Sequence, residues 1–588
     1  MNDAIAVSGQ RSAVSGQRSA VSGQRSADDR RRATGGGRQA AEQKSVLFAA
    51  RSATALHRLL DVIPVFAGDD RIRHRRFTLV PGSEFDIDAL AAVERAGART
   101  IPWAEAVRHP HDLIVAASPK GDLDRLTGPL ALLPHGAGFN KAVPYEGSAR
   151  TASGLDPAML LRNGRPIADL HALAHPSQAD RLAVGCPPAA ARSTVVGDPT
   201  LDRMLVSLPR RGSYRTALGT GGRKVIALTS TWGPESLLAR RPGLPAELAA
   251  GLPHDGYQLA LILHPNEYSR TSAYDLREIL EPALASGMVL ARPYEEWAAV
   301  LVAADAVITD HGSSALYAAA LGLPLIAACD GGDELLPGSP MAELLAQARF
   351  LATPADLEPA LAAHSPSAVR ALAAPAFAEQ GAALERLRTE LYALLGLTPR
   401  AGELVARPLP APAPASHGPA AFAVRTEVHG DQIDVDRRPA HADVPAHHLA
   451  AERERAAEPQ TQSASLLFRR RTRTAVPHPH TAAPTAAGWT ARALADHPGH
   501  RTAAAELTAS RWLLRRPETP LLLLRIEPCR TGDRVVRTDP AAVLSGVHAW
   551  LTDNPYPRLP TTLHCRVGGQ VYRARLAPAT DEEADHEL

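Results

Sequence analysis

The chain of 588 residues has four cysteines, Cys186, Cys329, Cys529 and Cys565, scattered with no CxxC or other ligand-like spacing. That argues against a zinc site or a disulfide framework, and a reducing cytoplasm is the expected setting. No apolar run approaches the ~18 to 20 residues that span a bilayer, and the N-terminus has no apolar core of a signal peptide. A soluble protein without a transmembrane helix is expected. Charge of one sign is also missing: 64 Lys and Arg against 62 Asp and Glu give a net charge of +2, which leaves no footprint for nucleic acid. Lysine itself is nearly absent, being confined to Lys44, Lys120, Lys141 and Lys224. Heavy use of Ala, Arg and Pro fits GC-rich bacterial coding, as in actinobacteria. A Lys kept against that bias supplies a compact point charge that Arg does not, and Lys141 stands in the most suggestive place.

What is present begins with the segment from Ala303 to Ile326. It reads as a buried strand (Ala306 to Thr309), a turn of small hydroxylated residues, a helix of strong formers from Ser314 to Gly322, and a second strand after Gly-Leu-Pro. Ser313 or Ser314 can cap the helix, and the N–H groups behind them can hold an anion; capping alone is the other reading.

Three copies of Ala-Val-Ser-Gly-Gln-Arg-Ser start at Ala6, Ala13 and Ala20. One Val per seven residues builds no seam, so residues 1–43 are expected to be disordered. From Ser45 apolar runs alternate with helical stretches. Ser45 to Ala50, Val62 to Ala67, Phe77 to Val80, Leu113 to Ala117 and Pro129 to Leu133 read as strands, with Ile87 to Ala96 a helix. A second series near Val195 adds strands at Lys224 to Leu228, Gln258 to Leu263, Val289 to Ala291, Ala306 to Thr309 and Pro324 to Ala328. The pattern predicts an α/β protein with two tandem Rossmann-like doubly wound domains, 44–190 and 191–396, separated by a cleft. The helical stretch from Ala371 to Leu395 closes the second domain on this reading. Residues 397–488, rich in Pro, Ala and His, read as a disordered linker. Residues 489–580 read as a small α+β accessory module, with a helix around Thr502 to Leu514, a strand at Leu521 to Glu527, a helix around Ala541 to Leu551 and a hairpin turning at Gly568-Gly569. An acidic tail, 581–588, follows.

Four loops at strand ends carry candidate chemistry. In His135-Gly136-Ala137-Gly138-Phe139-Asn140-Lys141, glycines let backbone approach a ligand, His135 is a base titrating near neutrality and Lys141 adds charge; a plain turn is the alternative. Gly197-Asp198-Pro199-Thr200-Leu201-Asp202 reads as a hinge or scaffold. Thr231-Trp232 ends a buried strand, where Trp232 either stacks on a base or packs in the core. In His264-Pro265, the Pro stops the strand and leaves the imidazole at the cleft mouth, either on a pyrophosphate oxygen or merely against its neighbours.

In order and spacing these motifs, together with Ala304-Asp305-Ala306-Val307-Ile308-Thr309-Asp310 and Ser313-Ser314, resemble the CDP-glycerol glycerophosphotransferases of teichoic-acid-type synthesis. The resemblance covers roughly residues 45–395 and implies the GT-B fold of many nucleotide-sugar glycosyltransferases. It implies His135 as catalytic base, His264 on the donor pyrophosphate, and Asp310, Ser313, Ser314 and Lys141 around the donor phosphates. Gly136, Gly138, Thr231 and Trp232 would line the nucleotide cleft. The implied reaction transfers glycerophosphate from a nucleotide-diphosphate donor to a cell-envelope or related acceptor hydroxyl, with no metal or other cofactor. The implied setting is the inner face of the membrane, with a lipid-linked acceptor. A nucleotide-sugar glycosyltransferase or epimerase-like enzyme, and an inactive GT-B-shaped binding scaffold, are the alternatives. Two loops depart from the family pattern, each by one extra residue: His135 to Lys141, which also lacks the usual Thr, and Asp310 to Ser314.

Overall fold

Strands of aliphatic and β-branched residues build two six-stranded parallel sheets. The computed structural model describes residues 43–82, 86–142, 151–293, 296–471, 484–531 and 534–588. The N-terminal repeats lie outside them. In the first sheet the order is Ile72–Leu79, Lys44–Ala50, Leu113–Ala116, Leu130–Leu132, Leu170–Leu173, Ser193–Val195, with every neighbouring pair parallel. Along Lys44–Ala50, Val46, Phe48 and Ala50 enter one apolar core while Leu47 and Ala49 enter another. Alternation between two buried layers means that both sheet faces are covered. Residues 62 to 67, expected as a strand, instead end the helix Ala53–Val62 and form the 3-10 turn Ile63–Phe66. Pro64 fits the first turn of such a helix but has no N–H for a ladder.

The second sheet runs Val289–Leu290, Tyr257–Leu263, Lys224–Ser230, Ala306–Thr309, Leu325–Ala327, Arg349–Phe350, again all parallel. Val225 and Ala227 face one core and Ile226 and Leu228 the other. The order reverses between Lys224–Ser230 and Ala306–Thr309, so a crevice opens at their carboxyl ends. Residues that follow the strands of both sheets line one cavity. Two Rossmann-like domains facing each other in this way form the GT-B arrangement.

The chain passes between these domains three times, the last between Ala406, packed on the first core, and Leu409, buried in the second. It crosses at Gly197, whose φ is +91°, and returns near Ala378, whose N–H donates to the Ala174 carbonyl at 2.8 Å. The helix Ala383–Leu394, expected to finish the second domain, places Leu384, Leu387, Leu391 and Tyr392 in the core of the first. Asp202 of the second domain pins its start by accepting from Gly381 N (2.5 Å) and Ala383 N (2.9 Å).

Two expectations for the remaining chain are corrected. Residues 397–488 are not a featureless linker: around residue 409 the chain is strapped to the second domain, with Leu409 buried, its carbonyl accepting from Tyr214 Oη at 2.6 Å and its N–H donating to Ser207 Oγ at 2.9 Å. From Ala421–His429 onward it builds a closed nine-stranded barrel with Gln432–Pro439, His448–Glu452, Leu466–Arg469, Thr502–Thr508, Arg511–Arg515, Leu522–Ile526, Thr561–Val567 and Gln570–Pro578. The stretch from Thr502 to Leu514 is therefore a β-hairpin rather than a helix. The helix Pro540–Asp553 is buried around its circumference in the barrel core, and a Cβ on its Gly546 would sit 3.0 Å from Val435 and 3.3 Å from Cys565. Buried Arg437 joins barrel to second domain, with Nε and Nη2 on Asp255 (2.8 and 2.7 Å) and Nη2 on Asp539 (2.9 Å).

Candidate active site in the interdomain cleft

The crevice between the two parallel sheets holds a cavity of about 610 Å³. Strand ends deliver its wall from both sides: Arg51 and Ser52 follow Lys44–Ala50, Ser118 and Lys120 follow Leu113–Ala116, and His135 and Gly136 follow Leu130–Leu132. From the second sheet come Thr231 and Trp232, His264, Arg292, and His311 to Ser314. Ligands in open α/β sheets bind at such carboxyl ends, beside the point where strand order reverses.

The two candidate histidines come from opposite domains and line the same cavity. His135 shows its ring to the cavity, yet the enclosing walls, then Lys120 and Arg58, lower its pKa to about 4. His264 is lowered to about 3 by burial, then by Lys141 and His135. Both imidazoles are consequently neutral at pH 7 and able to accept a proton. His264 Nδ1 accepts from Asn266 N at 3.2 Å, capping the helix Pro265–Arg270, so its neutral ring carries the proton on Nε2.

Ser313 and Ser314 line the cavity at the start of the helix Ser314–Leu321. Neither supplies a side-chain cap of that helix: Ser313 occupies the N-cap position without a capping hydrogen bond. The His135 loop passes close by, and a Cβ on Gly136 would lie 3.1 Å from Ser313 Oγ. Gly138 lies behind the wall with φ +82°, where a Cβ would meet Asn140 Oδ1 at 2.6 Å and Leu316 Cδ1 at 2.9 Å. Phe139 takes φ +49°, and Arg181 donates to the carbonyls of Gly138 (2.9 Å) and Phe139 (2.7 Å). The loop thus makes a left-handed bend held by an Arg fork.

Two expected phosphate ligands are engaged otherwise. Asp310 is fully buried and accepts from the backbone N–H of Thr231 (2.7 Å), Leu237 (2.8 Å) and Gly312 (2.9 Å). It shapes the two loops at the switch point from behind. Lys141 does line the cavity, but its ammonium lies 2.6 Å from Glu334 Oε2, donates to the Trp232 carbonyl at 2.9 Å and sits 4.4 Å over the Trp232 ring. It ties the first domain to the second, a tie extended by Ala142 N donating to the Glu334 carbonyl and Leu336 N to the Asn140 carbonyl, both at 2.9 Å.

Sequence reading missed a second tie. Arg58, on the helix Ala53–Val62, donates to Asp198 (2.8 Å), Thr200 (2.6 Å) and Tyr317 (2.5 Å), and the Tyr317 hydroxyl donates to Asp198 at 2.8 Å. Burial alone would lower the Arg58 pKa, but Asp198 and Tyr317 raise it above its ordinary value. The available signal was His57, Arg58 and Asp61 interrupting an otherwise apolar helix directly after a strand. Among the described residues no group of three or more His, Cys, Asp or Glu side chains is arranged to hold a metal ion, and no helix is long and apolar enough to cross a membrane.

No protein-family model matches the chain, and no curated protein matches it. Among solved structures it is similar to the wall teichoic acid polymerase TagF at 14% identity, covering 60% of this chain and 88% of that one with a TM-score of 0.42. It is also similar to UDP-GlcNAc 2-epimerase from Neisseria meningitidis bound to UDP-GlcNAc (13%, 60% and 99%, TM-score 0.38). A third likeness is to Anabaena HepE with UDP and glucose (15%, 60% and 100%, TM-score 0.38). Likenesses this distant carry no weight for function, which rests on the cleft itself.

Proposed function

We propose that the protein is a transferase that takes a nucleotide-diphosphate donor in the cleft and passes its glycerophosphate or a similar polyol-phosphate group to an acceptor hydroxyl. The observation that carries this reading is the meeting of His135 and His264, from facing domains, in one cavity with the Ser313–Ser314 turn. In the reaction the acceptor oxygen attacks the donor phosphorus next to the glycerol, His135 takes the hydroxyl proton, and the bond to the nucleotide phosphate breaks with its electron pair leaving on CMP. His264 Nε2–H and the Ser313–Ser314 turn hold the diphosphate, where phosphoryl transfer gains most of its stabilisation. The first domain is then the acceptor side and the second the donor side. A lipid-linked envelope precursor at the inner membrane face is the acceptor that the sequence resemblance suggests.

Release of CMP from CDP-glycerol, compared with release of UDP from UDP-sugars across a panel of acceptors, tests the reading. CMP is the expected product; UDP alone would move the assignment to sugar transfer, and binding without release of either nucleotide would favour a scaffold. His135→Ala is expected to abolish turnover while sparing donor affinity, and His264→Ala to weaken both. The reverse pattern would exchange the two roles.

A further inference from the structure

His135 comes from the first domain, but the residues that follow it are fastened to the second. Ala137 is buried in the apolar core of the second domain, and in exchange Leu336 of the second domain enters the core of the first. Asn140, 5% exposed, stands between these insertions. Its Nδ2 donates to the Ala137 carbonyl at 2.8 Å, and its Oδ1 accepts from Met341 N at 3.2 Å. Met341 lies in the first turn of the helix Pro340–Gln347, where the leading N–H groups have no partner within the helix. A donor meets an acceptor at each end of the carboxamide, which fixes its orientation. The main chain repeats the link, because the Asn140 carbonyl accepts from Leu336 N at 2.9 Å. Gly138 leaves the space that this amide fills: a Cβ there would lie 2.6 Å from Asn140 Oδ1 and 2.7 Å from its Nδ2.

A side chain that ties a loop to the opposite domain governs where that loop stands when the cleft changes width. We propose that Asn140 is a positioning residue for the proton transfer, clamping the His135 loop to the second domain so that the base stays in register with the Ser313–Ser314 turn. The inference rests on the transferase reading above, which makes His135 the base and that turn a holder of phosphate. The register is close, since a Cβ on Gly136 would lie 3.1 Å from Ser313 Oγ. Position 140 requires an amide. A carboxylate of the same shape keeps the bond from Met341 N but turns a second acceptor toward the Ala137 carbonyl, and a serine is too short to span both partners.

Asn140→Asp and Asn140→Ser test the clamp through CMP release from CDP-glycerol, with CDP affinity measured by calorimetry. In both variants kcat is expected to fall about hundred-fold, the scale of a displacement near 1 Å at a reacting group, while KM and CDP affinity change less than about three-fold. A side chain that merely supports the fold would not separate kcat from KM in this way. Unchanged kcat, or CDP affinity lost along with it, would overturn the inference, as would unfolding of both variants. Hydrogen exchange reads the clamp directly. The Met341 and Leu336 amides of the unsubstituted chain should be protected without nucleotide, and the Met341 amide should exchange at least about ten-fold faster in Asn140→Ser. Rapid exchange of Met341 in the unsubstituted chain would also overturn the inference. An unsubstituted chain that releases no CMP would instead overturn the transferase reading, while the exchange result stands by itself, so the two failures are distinct.

Discussion

Replacing Arg58 by Met removes the guanidinium from the tie between domains while keeping most of the apolar stem. The Asp198 side chain, 1% exposed, would lose its cationic partner and keep, among the described residues, the Leu201 N–H at 2.9 Å and the Tyr317 hydroxyl. At 2.8 Å and an effective dielectric constant near 20, the gross attraction is about 6 kcal/mol, of which desolvation offsets a large part. Deleting one member of such a buried pair costs about 3 to 5 kcal/mol, because the other charge stays behind without compensation. Urea unfolding followed by the intrinsic fluorescence of the six tryptophans, of which Trp232 and Trp297 lie in the cleft, would read that loss. Asp198→Asn in the same chain removes the stranded charge, so the double variant should recover about 2 kcal/mol of it. A single substitution costing less than about 1 kcal/mol would refute the reasoning, and so would a double variant no more stable than Arg58→Met alone.

Gly138→Ala forces a side chain into a left-handed backbone and within 2.6 Å of Asn140 Oδ1; it should cost about 1 to 3 kcal/mol and disturb the His135 loop. Gly164→Ala, with φ +75° and nothing within 4 Å, carries strain alone and should cost only about 1 kcal/mol in the same unfolding assay; equal costs would contradict the packing account. In the barrel, His548 and His448 meet with ring centroids 4.6 Å apart, and burial lowers their pKa values to about 3 and about 4, His548 being lowered further by His448, Arg516 and Arg501, and His448 by His447. Both are neutral when folded, whereas the unfolded chain takes up protons below about pH 6.5, so stability is full above that pH and falls as pH drops toward 4. The slope contributed by the pair reaches about 2.7 kcal/mol per pH unit, and thermal unfolding from pH 7.5 to 4.5 should show it flattening in a His548→Gln variant; an unchanged slope would contradict it.

The parallel sheets were legible because their strands are short continuous apolar runs that end in polar turns, as in Ala306–Thr309 before Asp310. The barrel was hidden for two physical reasons. In Gln432–Pro439 the buried positions are Ile433, Val435, Arg437 and Pro439, so an inward Arg breaks the alternation that marks a strand. In Thr502–Thr508 the Ala-rich sequence has helical propensity, but both faces are buried between the barrel core and the helix Ala486–Asp496, where small residues are needed and tertiary packing overrides propensity. Within the cleft, strand-end motifs located His135, His264 and the Ser313–Ser314 turn, because loop position follows from strand position. Partnerships did not follow: nothing in the order of residues told that Asp310 would be consumed by three backbone amides or Lys141 by Glu334.

The paired crossings at Gly197 and Ala378 bear on how the cleft can open. They run side by side: a Cβ on Gly197 would lie 3.1 Å from the Ala378 carbonyl oxygen and 3.2 Å from Ala383 Cβ. Two adjacent strands of chain are placed as the knuckles of a door hinge, and the third crossing, between Ala406 and Leu409, has to bend with them if the cleft opens. Neither domain is a contiguous piece of gene. A chain cut after residue 190 would lack the sixth strand, Ser193–Val195, as well as Leu384, Leu387, Leu391 and Tyr392 of its own core, so expressing the first domain alone calls for a fusion of 44–196 to the return helix rather than a truncation.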